Sequence, residues 1–224
     1  MDGERLQPDH EAVDRRTMAH GGAPKEQKWP RTARRQERVR SVLSRRQPDF
    51  TVVLENVHDP HNVNAVLRTC DAVGILAVHA VYTVEAPPET LFARQTSASA
   101  AKWVTVHRHD TIEECYAELR ESGMTILATA LTSGAIDLYD ADLSVPVALV
   151  FGNEMRGVSS EALQLADDAL SIPMVGMVQS LNISVACAVC LYEGFRQRSA
   201  KGAYFQSRLP AGDLELIEQD WLKR

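Results

Sequence analysis

The chain has 224 residues, 45% of them hydrophobic, and a net charge of -6. That size bounds one domain with short arms, and no apolar run reaches the roughly 18–20 residues that cross a bilayer. The acidic balance speaks against wholesale polyanion binding, and four cysteines in this length do not build a disulfide framework, so a reducing cytoplasm is the expected compartment.

Residues 1–30 mix Gly, Pro and charge without period and read as a disordered leader. The opening MDGERLQPDHEAVDRR has no hydrophobic segment and is not a secretory signal. Arginine outnumbers lysine 19 to 5, and seven arginines with one acid, Glu37, fall between Arg31 and Arg46. Val39, Val42 and Leu43 recur at helical spacing there, which predicts a basic amphipathic helix over 32–46. Its guanidinium forks match phosphate oxygens; the plainer reading is a solvated helix face.

FTVVLEN (50–56) reads as a strand, and HNVNAVLRTCDAVG (61–74) as a helix with Asn62 near its start and Gly74 at its stop. ILAVHAVY (75–82) is the next strand. APPETLFARQTSASA opens a helix with prolines in its first turn. WVTVH (103–107) reads as a strand, then a helix over 110–123 capped by Asp110 with Glu113 and closed by Gly123. Strands MTILATA and VPVALVFG, a helix SSEALQLA, a short strand ALSIPM and a long helix LNISVACAVCLYEGFRQR follow, and DLELIEQDWLKR forms a last helix. Strands alternating with helices at this spacing predict an α/β fold with a mostly parallel sheet. Ligands of such sheets lie beyond the carboxyl ends of the strands. That rule selects Asn56–Asn62, Thr129–Ser133, Gly152–Gly157 and Pro173–Asn182.

Gly152 and Gly157 bracket Asn153, Glu154 and Arg156, and Gly176 lies in IPMVGMVQS. Glycine permits tight turns and close backbone approach to a ligand, although each loop alone also reads as structural. Neither GxGxxG after the first strand nor GxxxxGK[ST] is present, which excludes a dinucleotide oxidoreductase and a phosphate-loop enzyme. Ser180 begins the long helix as a candidate N-cap, and a helix start also aims free N–H groups at a ligand. Arg68 either snorkels to solvent or stands with Asn62 near one strand end. Cys187 and Cys190 form a Cys-x-x-Cys pair inside an apolar helix with no second pair, so packing is expected and no metal. His58 and His61 border the first loop as polar residues.

Three stretches carry a family resemblance: NVNAVLRTCDAVG with Asn62 and Arg68, LVFGNEMRGVS with Gly152 and Glu154, and IPMVGMVQSLNISVA with Ser180 and Asn182. The chain resembles the SPOUT superfamily of knotted methyltransferases, in the branch that methylates RNA ribose 2'-hydroxyls. SRRQPDFTVVLENVHDPHNV and LYEGFRQR match the members that act on tRNA. The resemblance implies a C-terminal deep trefoil knot, against the rule that chains stay unknotted, whose loops hold S-adenosyl-L-methionine.

It implies a knotted catalytic domain over 49–200, a basic arm over 31–48 and a C-terminal extension over 201–224. Cofactor contacts carry over to Thr129, Ala130, Leu131, Gly152, Ile172, Met174 and Leu181. Asn62, Arg68, Glu154, Ser180 and Asn182 carry over as the catalytic set. Arg68 is read as a clamp on the target phosphate and a stabiliser of the developing alkoxide, because a guanidinium stays charged at neutral pH. Arg34, Arg35, Arg38, Arg45, Arg46, Arg196 and Arg198 are expected on the tRNA backbone. The resemblance also implies a homodimer, with neither DNA nor membrane as partner. Ribosomal RNA is the alternative substrate, and an RNA-binding protein that has lost catalysis the rival class.

Overall fold

The computed structural model describes residues 33–84, 86–87 and 100–224. The leader, Arg31 and the body of the helix expected from Ala86 lie outside the described residues. The elements in order are α1 (Ala33–Leu43), β1 (Phe50–Glu55), α2 (Pro60–Val73), β2 (Ala77–Val81), a 3-10 turn (Ala100–Lys102), β3 (Thr105–His109) and α3 (Ile112–Glu121). They continue with β4 (Thr125–Thr129), β5 (Ile136–Asp137), β6 (Val147–Phe151), α4 (Ser160–Leu165), β7 (Asp168–Ser171), α5 (Ile183–Ala200) and α6 (Ala211–Lys223).

The strands form one sheet in the order β3-β2-β1-β6-β4-β7-β5, and every registered pair is parallel. β1 and β6 are buried on both faces, which is why they read as continuous apolar runs. Their side chains still alternate. Val52, Leu54, Leu149 and Phe151 pack with Val63, Leu67, Cys70, Cys187 and Leu191 from α2 and α5. Val53, Ala148 and Val150 pack on the other face with Ile112, Tyr116 and Leu119 of α3 and Ala162 of α4. The Cys-x-x-Cys pair is therefore core packing, and burial pushes the Cys190 thiol up to about 12.

Both arm helices leave the sheet together. Val39 and Leu43 of α1 pack on Trp221 of α6, and Arg40 pairs with Glu218 at 2.7 Å.

Several boundaries differ from the sequence reading for local reasons. β3 starts at Thr105 because Trp103 and Val104 bond back to the Ala100 carbonyl, and the Trp103 ring packs on Trp221. The α3 cap is Thr111, not Asp110: Thr111 is the last extended residue and accepts from the Glu114 N–H, while Glu114 accepts from the Asp110 N–H. α5 is capped by Asn182, whose side chain accepts from the Ser184 N–H at 2.9 Å, so Ser180 lies ahead of the helix. β5 has two residues and pairs only with β7, too short to show alternation. Gly74 ends α2 in the left-handed region at φ 89, as expected of a helix-stopping glycine.

Arg46 and Arg198 are corrections to the expected RNA surface. Arg46 is 1% exposed; it donates to the Ile75 carbonyl at 2.8 Å, pairs with Asp71 and lies 5.0 Å from the Trp221 ring centre. Arg198 is 0% exposed and donates to the Leu143 carbonyl at 2.9 Å and to Asp49 Oδ1 at 2.8 Å. Its guanidinium carbon stands 4.6 Å from the Phe50 ring centre. Arg46 ties the amino-terminal arm to the turn between α2 and β2, Arg198 ties α5 to Asp49 and to the segment before β6, and neither reaches a solvent-borne phosphate.

Candidate active site

β6, β4 and β7 are neighbours in the sheet, and the loops at their carboxyl ends enclose one cavity of about 390 Å³. Thr129 ends β4, with Ala130 and Leu131 in the loop after it; Gly152 and Glu154 come from the loop after β6, and Ile172, Met174, Ser180 and Leu181 from the segment after β7. All the positions expected to contact a cofactor therefore line this cavity. Its size lies within the range of small-molecule sites.

Gly152 is needed by contact. A Cβ there would stand 2.1 Å from the Gly157 backbone, where the loop folds back through an Asn153–Gly157 bridge. Gly157 makes the return at φ 70. Asn153 holds the loop from inside: its amide donates to the Asn56 carbonyl at 2.9 Å, and its Oδ1 accepts from the Met155 and Arg156 N–H groups. The Thr129 hydroxyl donates to the Val150 carbonyl at 2.8 Å, joining β4 to β6.

Three of the expected catalytic side chains form a relay at the lip of the cavity. Asn182 donates to Asn62 Oδ1 at 3.1 Å, and Asn62 donates to Glu154 Oε1 at 3.0 Å. Ser180 lines the cavity beside them. Arg68 stands apart. It is exposed on α2, one and a half turns beyond Asn62 and outside the cavity lining. Among the described residues no carboxylate pairs with it.

Sequence reasoning missed the supports beneath the relay. Asn56 sits at φ 52 and its Oδ1 accepts from the Thr83 and Val84 N–H groups. Asparagine tolerates that conformation better than most residues, so an Asn directly after a strand was an available signal. Glu55, buried under the loop, accepts from the Ser159 N–H at 2.8 Å. Tyr82 donates to the Val57 carbonyl at 2.7 Å, and burial, then Glu154, hold its phenol well above the usual range. His58 packs its ring on Tyr82.

Of the expected RNA contacts, Arg34, Arg38 and Arg45 are exposed and Arg35 is half-buried. Arg196 is exposed but held by Glu193 at 2.7 Å. At the far edge of the sheet His79, His109 and Cys115 place ligand-type atoms within 4.8 Å of one another. His79 Nδ1 and His109 Nε2 share a proton across 2.9 Å.

This is a parallel-sheet protein with a small-molecule cavity at three strand ends and an amide–carboxylate relay on its lip. The arrangement presents neither a nucleophile–base pair nor a redox dithiol, so it suits a reaction that runs on placement. Residues 49–192 match the SpoU rRNA Methylase family, and the chain belongs to it. It is 49% identical to the tRNA (guanosine(18)-2'-O)-methyltransferase of Thermus thermophilus, over 87% of this chain and 98% of that one. The crystal structure of the A. aeolicus TrmH/SpoU tRNA modifying enzyme superposes with a TM-score of 0.75 and 36% identity, over 85% of this chain and 95% of that one. The SpoU methyltransferase AviRb from Streptomyces viridochromogenes, solved in complex with the cofactor AdoMet, aligns with a TM-score of 0.59 and 27% identity over 69% of this chain and 62% of that one.

Proposed function

We propose that this protein transfers the methyl group of S-adenosyl-L-methionine to the ribose 2'-hydroxyl of guanosine 18 in tRNA. The observation that carries it is the Asn182–Asn62–Glu154 relay at the lip of the cofactor cavity. Relatives from Thermus thermophilus and Escherichia coli that match over most of the chain are named for this reaction.

The cavity fits the cofactor. Leu131, Ile172, Met174 and Leu181 offer apolar walls for a base, and the strand-end backbone offers polar groups for a ribose and an amino acid. Gly152 leaves room where a side chain would fill the cradle. S-adenosyl-L-methionine supplies a methyl group on a sulfonium, already activated for transfer. The residues here need only hold the 2'-oxygen in line and ease its loss of a proton. Glu154 and Asn182 fix Asn62 from both sides, and Asn62 in turn fixes the ribose edge. Ser180, beside the relay in the cavity lining, holds the ribose with it. Arg68, charged and without an internal partner, clamps the target phosphate and stabilises the developing alkoxide.

The protein works as a homodimer. Met155, which lines the cavity, is 95% exposed, and Met177 and Val178 stand exposed in the segment between the lining residues Met174 and Gln179; we place the dimer contact on these side chains. A second copy covers them and completes the site with Arg68 at the subunit boundary. Among the described residues no helix is long and apolar enough to cross a membrane. Four free, buried thiols suit the reducing cytoplasm.

The test is to incubate the protein with labelled cofactor and either unmodified tRNA or ribosomal RNA, then map the methylated nucleotide. Label confined to guanosine 18 of tRNA is expected. Label in ribosomal RNA, the substrate in the family's name, would overturn the tRNA reading.

A further inference from the structure

We propose that the groove between α1, the carboxyl end of α2 and the turn at 203–205 binds a nucleobase of the RNA substrate, with Phe205 as its stacking platform. This rests on the tRNA reading above. The groove encloses about 740 Å³, and Arg38, Arg45, Tyr204 and Phe205 are among its lining residues.

Phe205 is 88% exposed. Nothing in the core needs it, yet the turn that presents it is firmly anchored. Gln47 donates to the Ala203 carbonyl at 3.1 Å, and the Tyr204 hydroxyl donates to the Val73 carbonyl at 2.8 Å. The Tyr204 ring packs on Phe195 with centroids 4.9 Å apart. An aromatic ring held out on a fixed turn is a preformed surface, because stacking on it costs little ordering.

Charge selects the ligand. Arg38 and Arg45 are exposed, and among the described residues no carboxylate pairs with either. Two free guanidiniums beside a bare phenyl ring match a phosphate–base repeat. They are unsuited to an apolar helix. On a chain of net charge -6 such a pair stands out.

Placement points the same way. The groove is closed on one side by Asp71, Ala72, Val73 and Gly74, the end of the helix that carries Asn62 and Arg68. His61, Asn64 and Arg68 are exposed and follow helical spacing, so one polar stripe runs along α2 toward exposed Ala72 at the groove. At 1.5 Å per residue the groove lies about 18 Å from Asn62, with Arg68 midway. A strand anchored on Phe205 would run along this stripe, pass Arg68 and deliver a ribose to the lip of the cofactor cavity.

The experiment measures binding of fluorescent, unmodified tRNA transcript by anisotropy to the full chain and to its F205A and F205W variants. A stacked base is worth about 1–3 kcal/mol, so F205A should weaken tRNA binding about 5- to 150-fold. F205W should restore it, and cofactor affinity and Tm should stay at the wild-type level in both. F205A binding tRNA as tightly as the wild type would overturn the proposal, and so would a loss that F205W does not repair. Mapping the methyl group on the same samples separates the two readings. Guanosine 18 methylated by a variant with unchanged tRNA affinity retains the function and removes the groove. Phe205-dependent binding with methylation elsewhere retains the groove and removes the function.

Discussion

Asn62 reaches across 92 positions of sequence to donate its amide to Glu154 at 3.0 Å. That bond ties α2, which carries Arg68, to the loop that walls the cavity. A hydrogen bond to a charged group is worth about 1.5–3 kcal/mol. Asn62→Ala should therefore lower kcat/KM about 10- to 150-fold, with a small change in Tm. Asn62→Asp should be no better, because it sets a second carboxylate against Glu154. Steady-state kinetics with thermal melts on both variants checks this; an Asp variant with wild-type turnover would remove the relay from catalysis.

Gly152→Ala should abolish cofactor uptake. Its Cβ would stand 2.1 Å from the Gly157 backbone, so the loop must open. Calorimetric titration with the cofactor reads the result directly. Normal uptake would mean that the loop has a second arrangement.

Arg198 and Arg34 should separate stability from binding. Arg198→Ala leaves the Leu143, Val145 and Asp49 carbonyls without their buried donor, and a buried acceptor left unsatisfied costs about 1–3 kcal/mol. Its Tm should fall steeply. Replacing exposed Arg34 and Arg38 with Gln should leave Tm alone and flatten the salt dependence of tRNA binding, by up to about 0.9 in log–log slope for each phosphate no longer neutralised. Denaturation curves and salt titrations decide it. An R198A protein that melts like the wild type would return Arg198 to the RNA surface.

His79 sets an acid limit. Burial first, then His107 and His109, draw its imidazole down to about 3. The unfolded chain takes up that proton near pH 6.5, so between roughly 6.5 and 3 the unfolded state binds more protons than the folded one. Stability is full above that window and falls on acidification, by at most about 1.4 kcal/mol per pH unit. Urea unfolding at pH 7 and pH 5 should show the loss in wild type and a smaller one in H79Q. Equal losses in the two proteins would acquit His79.

The sheet and the cavity could be read from the chain because their signals are local. Apolar runs at Phe50–Glu55 and Val147–Phe151, a helix stop at Gly74 and glycines after strands each act within a few residues. The strand-end rule then brought Thr129, Gly152, Ile172 and Leu181 to one place. Arg46 and Arg198 could not be read this way. Nothing in the sequence around Arg46 announces Ile75 or Trp221, nothing around Arg198 announces Asp49 or Phe50, and a buried guanidinium looks the same in one dimension as an exposed one. The relay was half legible: its members were named, but their bonds span loops whose meeting depends on the whole sheet.

Trp221 of α6 closes over Val39 and Leu43 of α1 and over the Arg46 guanidinium. The first and last described helices are thus a single clasp, joined at Arg40 and Glu218 across 178 positions of sequence. Trimming the carboxyl-terminal helix would loosen the amino-terminal one with it and uncover a buried cation. Any substitution that reshapes one of these helices is therefore answerable to the other.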